Sequence, residues 1–232
     1  IGLRAGQRHG YAHGFGYAAI GLLLADHVGA GILAFGSVME QVFLRSGNVY
    51  TDVVRAQASS FNTLGRTLRT AGLELALPTG GCSEVITERV AATGRYAGLA
   101  ISCPRPGPRG EPCGTCFKCF RKLRLEGVAN LPEPDGQVLK VLDTYPLKSA
   151  TSVVFASQRA GYSYPSIERY LDADLGFLER YYGYAIEHML PVHLRGPVQA
   201  ELAALGIRQM SSSDEHDLRS VARVFWPEKF RP

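Results

Sequence analysis

The chain has 232 residues, with 46% apolar and 20% charged side chains, which gives one medium domain or a domain with an appendage and excludes a disordered chain. Its 26 Gly and 13 Pro exceed the usual share, so many turns and long loops are expected rather than a helical bundle. The formal net charge is only +4, and composition alone makes no case for nucleic acid. The charge is local, however: Arg105, Arg109, Lys118, Arg121, Lys122 and Arg124 face the single acid Glu111 between Cys103 and Arg124.

In chain order, residues 1–16 carry Arg8-His9-Gly10 and His13-Gly14 and read as a loop. Residues 17–28 have helical length and apolar density, and His27 there reads as a satisfied core residue. Residues 32–35 form a short apolar run bounded by glycines, as a buried parallel strand does. Together, 17–38 is the most apolar run, but Asp26-His27 interrupts it and a membrane span is not expected. No secretory pattern is visible at the start, so a cytoplasmic location is expected. Gly36-Ser37 falls at the carboxyl end of the predicted strand, where open α/β sheets bind ligands. A helix is predicted over 61–75 from the spacing of Phe61, Leu64, Leu68 and Leu75, and another from Ser83, a plausible cap. Residues 98–102 read as a second buried strand feeding into Cys103, and 131–136 as a linker. Beyond it, 167–190, 198–205 and 214–224 read as helices. The expected organisation is therefore an α/β piece over 1–130 and a mostly helical extension over 137–232.

The cysteines carry the most specific signal. Cys103, Cys113, Cys116 and Cys119 fall within 17 residues, spaced x9, x2, x2, with Gly107, Gly110 and Gly114 to let the backbone fold around them. Four thiolates so close suit a tetrahedral zinc site, with an iron–sulfur cluster or unligated thiols as the alternatives. Overlapping C-x2-C units cannot easily form two unstrained disulfides. A closed four-sulfur site leaves no open coordination position, so such a metal stabilises a loop and performs no chemistry. The fifth, Cys82, follows Gly80-Gly81 and reads as a buried free thiol, with a nucleophile or sulfur carrier as the sharper alternative.

Ser102-Cys103 and Pro112-Cys113-Gly114-Thr115-Cys116-Phe117-Lys118-Cys119 resemble the zinc loop of the 7-cyano-7-deazaguanine synthase family, within the PP-loop ATP pyrophosphatases or adenine nucleotide alpha hydrolases. Residues 17–36 resemble the helix and strand upstream of that loop, and Ser83-Glu84-Val85 a helix start before it. Phe35-Gly36-Ser37-Val38-Met39-Glu40 and Cys116-Phe117-Lys118-Cys119-Phe120-Arg121-Lys122 look closer still to an uncharacterised branch of the superfamily. The resemblance covers residues 8–125 or so. It implies a Rossmann-like (HUP-type) parallel sheet with a four-cysteine zinc loop at 103–119.

The chemistry it implies is adenylation of a carboxylate or carbonyl oxygen by ATP, with Mg2+, and displacement of AMP by a nitrogen or sulfur nucleophile. The implied partners are ATP and a small-molecule carboxylate. The family's Ser-Gly-Gly-x-Asp-Ser pyrophosphate loop has no counterpart in the sequence, and Gly80-Gly81-Cys82-Ser83 is not one. The chain also begins on Ile1 without Met, so the ATP-cradling part is expected to lie outside it, or in a partner chain or second copy. Gly36-x3-Glu40 has the spacing of a Gly-His-x-x-Asp loop in several such families. On that resemblance Glu40 is a candidate for magnesium or pyrophosphate, against a solvated glutamate at a helix start. Gly36 and Ser37 are candidate nucleotide contacts. Arg8, His9, His13 and Lys118 are candidate contacts to substrate or phosphate. A zinc-stabilised scaffold without catalysis is the second reading. A nucleic-acid module on the basic loop is the third, and is disfavoured because Phe117 and Phe120 are the only aromatics there.

Overall fold

The computed structural model describes residues 10–44, 50–57, 59–95, 97, 103, 112–128, 136–144, 151–165 and 167–225. Helix α1 spans Gly10–Val28, so helix replaces loop from residue 10 onward despite Gly10, Gly14 and Gly16. A turn through Gly29, at φ 64°, leads into strand β1, Ile32–Ala34. One helical turn, α2 (Met39–Val42), and then α3 (Ser60–Thr70) separate β1 from strand β2, Glu74–Ala76.

The helix expected over 61–75 is corrected here. It ends at Thr70, Gly72 turns the chain at φ 75°, and Leu75 lies on a strand. Strands β1 and β2 pair in parallel, with Ile32 opposite Glu74, Leu33 opposite Leu75 and Ala34 opposite Ala76. Parallel pairing with helix in the crossover is the βαβ arrangement. The sheet has two strands among the described residues, and the strand expected over 98–102 lies outside them.

Helix α4, Glu84–Thr93, begins where Ser83 Oγ accepts the Ile86 amide at 3.1 Å. Helices α5 (Phe117–Leu125), α6 (Gly136–Thr144) and α7 (Thr151–Ala160) follow. The long helix expected over 167–190 is three short pieces instead. Two 3₁₀ turns, Glu168–Tyr170 and Gly176–Glu179, precede helix α8, Gly183–Met189. Asp174 Oδ1 accepts the Gly176 amide at 3.0 Å, an Asx-type turn that competes with a continuous helix. Helices α9 (Val192–Ala204) and α10 (Ser212–Phe225) complete the described chain.

The architecture is thus mixed α/β, mostly helical, with a two-stranded parallel sheet among the described residues. One core takes side chains from both sides of the composition change near residue 130. Met39, Phe43 and Leu44 pack with Leu142, Val154, Leu178 and Tyr182. A second cluster joins Ala76, Cys82 and Ile86 to Ile186, Leu190 and Leu202. Gly80 and Gly81 belong to this packing. A Cβ on Gly81 would meet the Tyr182 carbonyl at 2.8 Å, and the Tyr182 amide donates to Gly81 O at 2.7 Å. Those glycines therefore serve a close chain crossing. A third, smaller cluster holds α1 to α3 through Ala18, Ala25, Leu64, Leu68 and Leu73.

The outer face of α1 is apolar and exposed among the described residues. Tyr17, Ile20, Leu23, Leu24 and Val28 are exposed, Leu23 by 82%. His27 is exposed as well, not a core residue, because it falls on that outer face. No helix among the described residues is long and apolar enough to cross a membrane.

Candidate metal centre

The turn after Pro112 brings three cysteines together on the start of α5. Gly114 takes a φ of 72°, a conformation that side chains resist, and this reverses the chain between Cys113 and Cys116. Cys116 is the N-cap of α5, and its Sγ accepts the Cys119 amide at 3.5 Å. Cys113 Sγ accepts the Cys116 amide at 3.3 Å and the Thr115 hydroxyl at 3.7 Å. Cys103 arrives from upstream, and its Sγ accepts the Cys113 amide at 3.4 Å.

The four sulfurs lie within 4.8 Å of one another, with Cys103 and Cys116 at 4.0 Å and Cys113 and Cys119 at 3.8 Å. These separations exceed a disulfide bond, and all four thiols are free. They do match a metal: two sulfurs at tetrahedral positions about 2.3 Å from zinc stand about 3.8 Å apart. Four thiols so placed could hold a metal ion.

The electrostatics favour thiolates on one side of the knot. Amide donation from Cys116, then from Thr115, pulls the Cys113 thiol down to about 6. Burial on the inner face of α5, then a hydrogen bond with the Cys103 side chain, pushes the Cys119 thiol up to about 12. A coordinated metal reverses that, because a thiol bound to it is deprotonated outright.

The basic stretch around the knot is turned inward. Arg121 ion-pairs with Glu84, and Lys122 Nζ reaches Glu88 Oε1 and Oε2 at 2.9 Å, both acids coming from α4. Glu84 and Glu88, four residues apart on one helix face, are functional partners that the sequence reading passed over. That spacing, set against adjacent Arg121-Lys122, is the signal that would have found them. Arg124 is 4% exposed, hydrogen-bonds Tyr164 Oη and stands 4.2 Å from the centre of the Tyr162 ring. Lys118 alone of the described cations here points to solvent. Arg105 and Arg109 lie outside the described residues.

Glu40 is 1% exposed, so it is not the solvated glutamate of the alternative reading. Both carboxyl oxygens accept the Glu84 amide, at 3.0 and 3.1 Å, capping the N-terminus of α4. Burial, with the neighbouring Glu84 charge adding to it, raises Glu40 to about 8, so the buried group is mainly the neutral acid at pH 7. Burial raises Glu84 too, opposed chiefly by Arg121.

Gly36 and Ser37 do sit at the carboxyl end of β1. Gly36 is exposed, and the Ser37 carbonyl accepts the Thr79 hydroxyl at 3.0 Å. Cys82 is a buried free thiol, pushed up to about 12 by burial and by Glu40, and it borders an apolar cleft of about 420 Å3 between α4 and α9. The structure thus brings Gly36, Ser37, Glu40 and Cys82 to one end of the sheet, beside the start of α4. The cysteine knot is tied to that same helix. Arg8 and His9 lie outside the described residues, and His13 falls on α1, where only its backbone is described.

Residues 63–222, more than half of the chain, match the model of a family of unknown function (DUF6395). No curated protein and no solved structure matches the chain.

Proposed function

We propose that this chain, which belongs to the family of unknown function DUF6395, is the zinc-bearing part of an adenylating ligase of the PP-loop type. In this reading Cys103, Cys113, Cys116 and Cys119 hold one structural zinc. The observation that carries it is the four-thiol knot, with Cys103 and Cys116 sulfurs 4.0 Å apart, Cys113 and Cys119 sulfurs 3.8 Å apart, and all four within 4.8 Å of one another. An iron–sulfur cluster places several irons between its thiolates. Four sulfurs all within 4.8 Å leave room for a single ion, which favours zinc.

The ligase reading rests on the resemblance of this loop and on where the knot is tied. Arg121 and Lys122 fasten the knot's helix to Glu84 and Glu88. The start of α4 in turn lies beside Gly36 and Ser37 at the carboxyl end of a parallel strand. The exposed apolar face of α1 and the two-stranded parallel sheet among the described residues leave room for a further layer of protein at this end, since parallel sheets are ordinarily covered on both faces. In this reading a pyrophosphate loop supplied by a partner chain or a second copy belongs there. Substrate activation then needs ATP, and a small carboxylate is the expected acceptor.

Glu40 does not fit a magnesium ligand. It is buried, mainly neutral and already bonded to the Glu84 amide, so no magnesium is assigned to it. Its engagement favours a second reading, a zinc-stabilised scaffold without catalysis. The inward pairing of Arg121, Lys122 and Arg124 lends no support to a nucleic-acid platform.

The deciding experiment is ATP–pyrophosphate exchange, run on the natural-length protein with panels of small carboxylates. Exchange that depends on a carboxylate supports the ligase. Its absence, in a protein carrying one zinc, supports the scaffold.

A further inference from the structure

Away from the knot, α4 also lines a small polar cavity of about 200 Å3, together with the chain after the second 3₁₀ turn and the turn after α9. Its lining residues are Arg89, Glu179, Arg180, Gly206 and Arg208. Three guanidinium-bearing residues from three separate elements thus surround one space. The segments that carry them are fixed to one another. The Tyr181 amide donates to Arg208 O at 2.9 Å, and the Met210 amide to Tyr181 O at 2.9 Å. Gly206 makes the turn at φ 71°, and the Arg89 guanidinium donates to Leu205 O at 3.1 Å, so it lies across the end of α9.

The local carboxylates are already engaged. Glu179 pairs with Arg159, outside the cavity, and Asp214 pairs with Arg180 while accepting the Ser211 amide and hydroxyl at 2.7 Å each. Arg89 and Arg208 have no carboxylate partner among the described residues. With Arg180 shared with Asp214 and the Glu179 carboxylate also in the lining, the three guanidinium groups still leave the cavity net positive, which favours an anion there. Planar guanidinium forks match phosphate oxygens two at a time, which a lysine cannot do. The volume admits a phosphoryl group with room to spare. The open carbonyls at the end of α9 oppose an anion, and the Arg89 bond to Leu205 O offsets one of them.

We propose that this arginine-lined cavity binds a phosphorylated small molecule through its phosphate group, with Arg89 and Arg208 as the principal ligands and Arg180 as the third. The site lies in the helical part of the chain and does not depend on the ligase reading.

The test is titration calorimetry of the zinc-loaded full chain with inorganic phosphate and, separately, pyrophosphate, at constant ionic strength. Saturable one-site binding is expected. Arg208→Ala weakens it by about tenfold or more, and Arg208→Lys, which keeps the charge and loses the fork, falls between. Arg66→Ala, which removes an exposed cation of α3, leaves binding unchanged. Arg208 is exposed, so its variants keep the wild-type melting curve. Three results would each overturn the proposal: no saturable binding of either anion, wild-type affinity in Arg208→Ala, or equal weakening by Arg66→Ala.

Discussion

The two ends of α4's neighbourhood are held together by different physics. At the sheet end, α1 rests on α3 through a thin cluster around Leu64 and Leu68 and leaves its outer face, with Leu23 and Val28, in solvent. At the knot end, α5 buries Cys119 and Phe120 and packs Phe117 and Leu125 partly against the main core. Charge adds to this packing: Arg121, Lys122 and Arg124 reach into Glu84, Glu88 and Tyr164, and four close thiols gather at the start of the helix. A nine-residue helix depends on such tertiary ties, because isolated helices of this length are marginal in water. The sheet end leaves apolar surface exposed among the described residues; the knot end adds ion pairs and four close thiols to its apolar packing.

That contrast predicts where perturbation is felt most. Stripping the metal with a chelator, or Cys116→Ser, should have the largest effect, since structural zinc in small sites contributes on the order of 10 kcal/mol of local folding energy. The expected outcome is loss of α5 protection in hydrogen exchange, while the core around Tyr182 and Leu178 stays protected. Uniform loss across the chain would erase the distinction between the two ends.

Leu68→Ala comes next. Leu68 is fully buried between α1 and α3, and its truncation should cost about 2–5 kcal/mol in denaturant unfolding. Leu23→Ser, on the exposed face of the same α1 packing, should stay within about 0.5 kcal/mol for the chain alone. A large cost for Leu23→Ser would mean that this face is already covered.

Glu40 makes the junction between the ends sensitive to pH. Its folded value is raised to about 8, above the ordinary 4.5, so the folded state holds a proton that the unfolded state has released. The associated stability is fully present below about 4.5 and is lost as pH rises toward 8, at up to about 1.4 kcal/mol per pH unit. Glu40→Gln, which keeps an acceptor and removes the titration, should flatten urea-derived stability between those pH values. An unchanged slope would contradict the buried neutral acid.

Ser83→Ala should cost about 1–2 kcal/mol. It removes the α4 cap and the hydroxyl that donates to Leu178 O. Smallest of all, Arg159→Ala should change stability by less than about 1 kcal/mol, because the Arg159–Glu179 pair is exposed.

The parts of this molecule legible in its sequence are those that rest on local rules. The cysteine spacing, the Ser83 cap and the short apolar strand at residue 32 each declare themselves within a few residues. β2 was hidden because Leu75 continues the seven-residue spacing of Leu68, so the apolar pattern runs on through a turn that only Gly72 marks. Residues 167–190 are apolar at helical spacing, yet the Asp174 side chain captures the Gly176 amide and breaks the run. Glu40 was unreadable for a different reason. The amide it caps lies 44 residues away, and no local pattern announces a carboxyl that folding will bury. The same holds for the basic loop: its charge is plain in the sequence, but its cancellation by Glu84 and Glu88 is a tertiary fact.

The central claim is that the four cysteines enclose one zinc. X-ray absorption at the zinc edge, on purified full-length chain with metal content measured in parallel, tests it most directly. The account predicts one zinc per chain with four sulfur neighbours at about 2.3 Å. A folded chain without metal, an iron signal with iron–iron scattering, or a shell containing nitrogen or oxygen would contradict it.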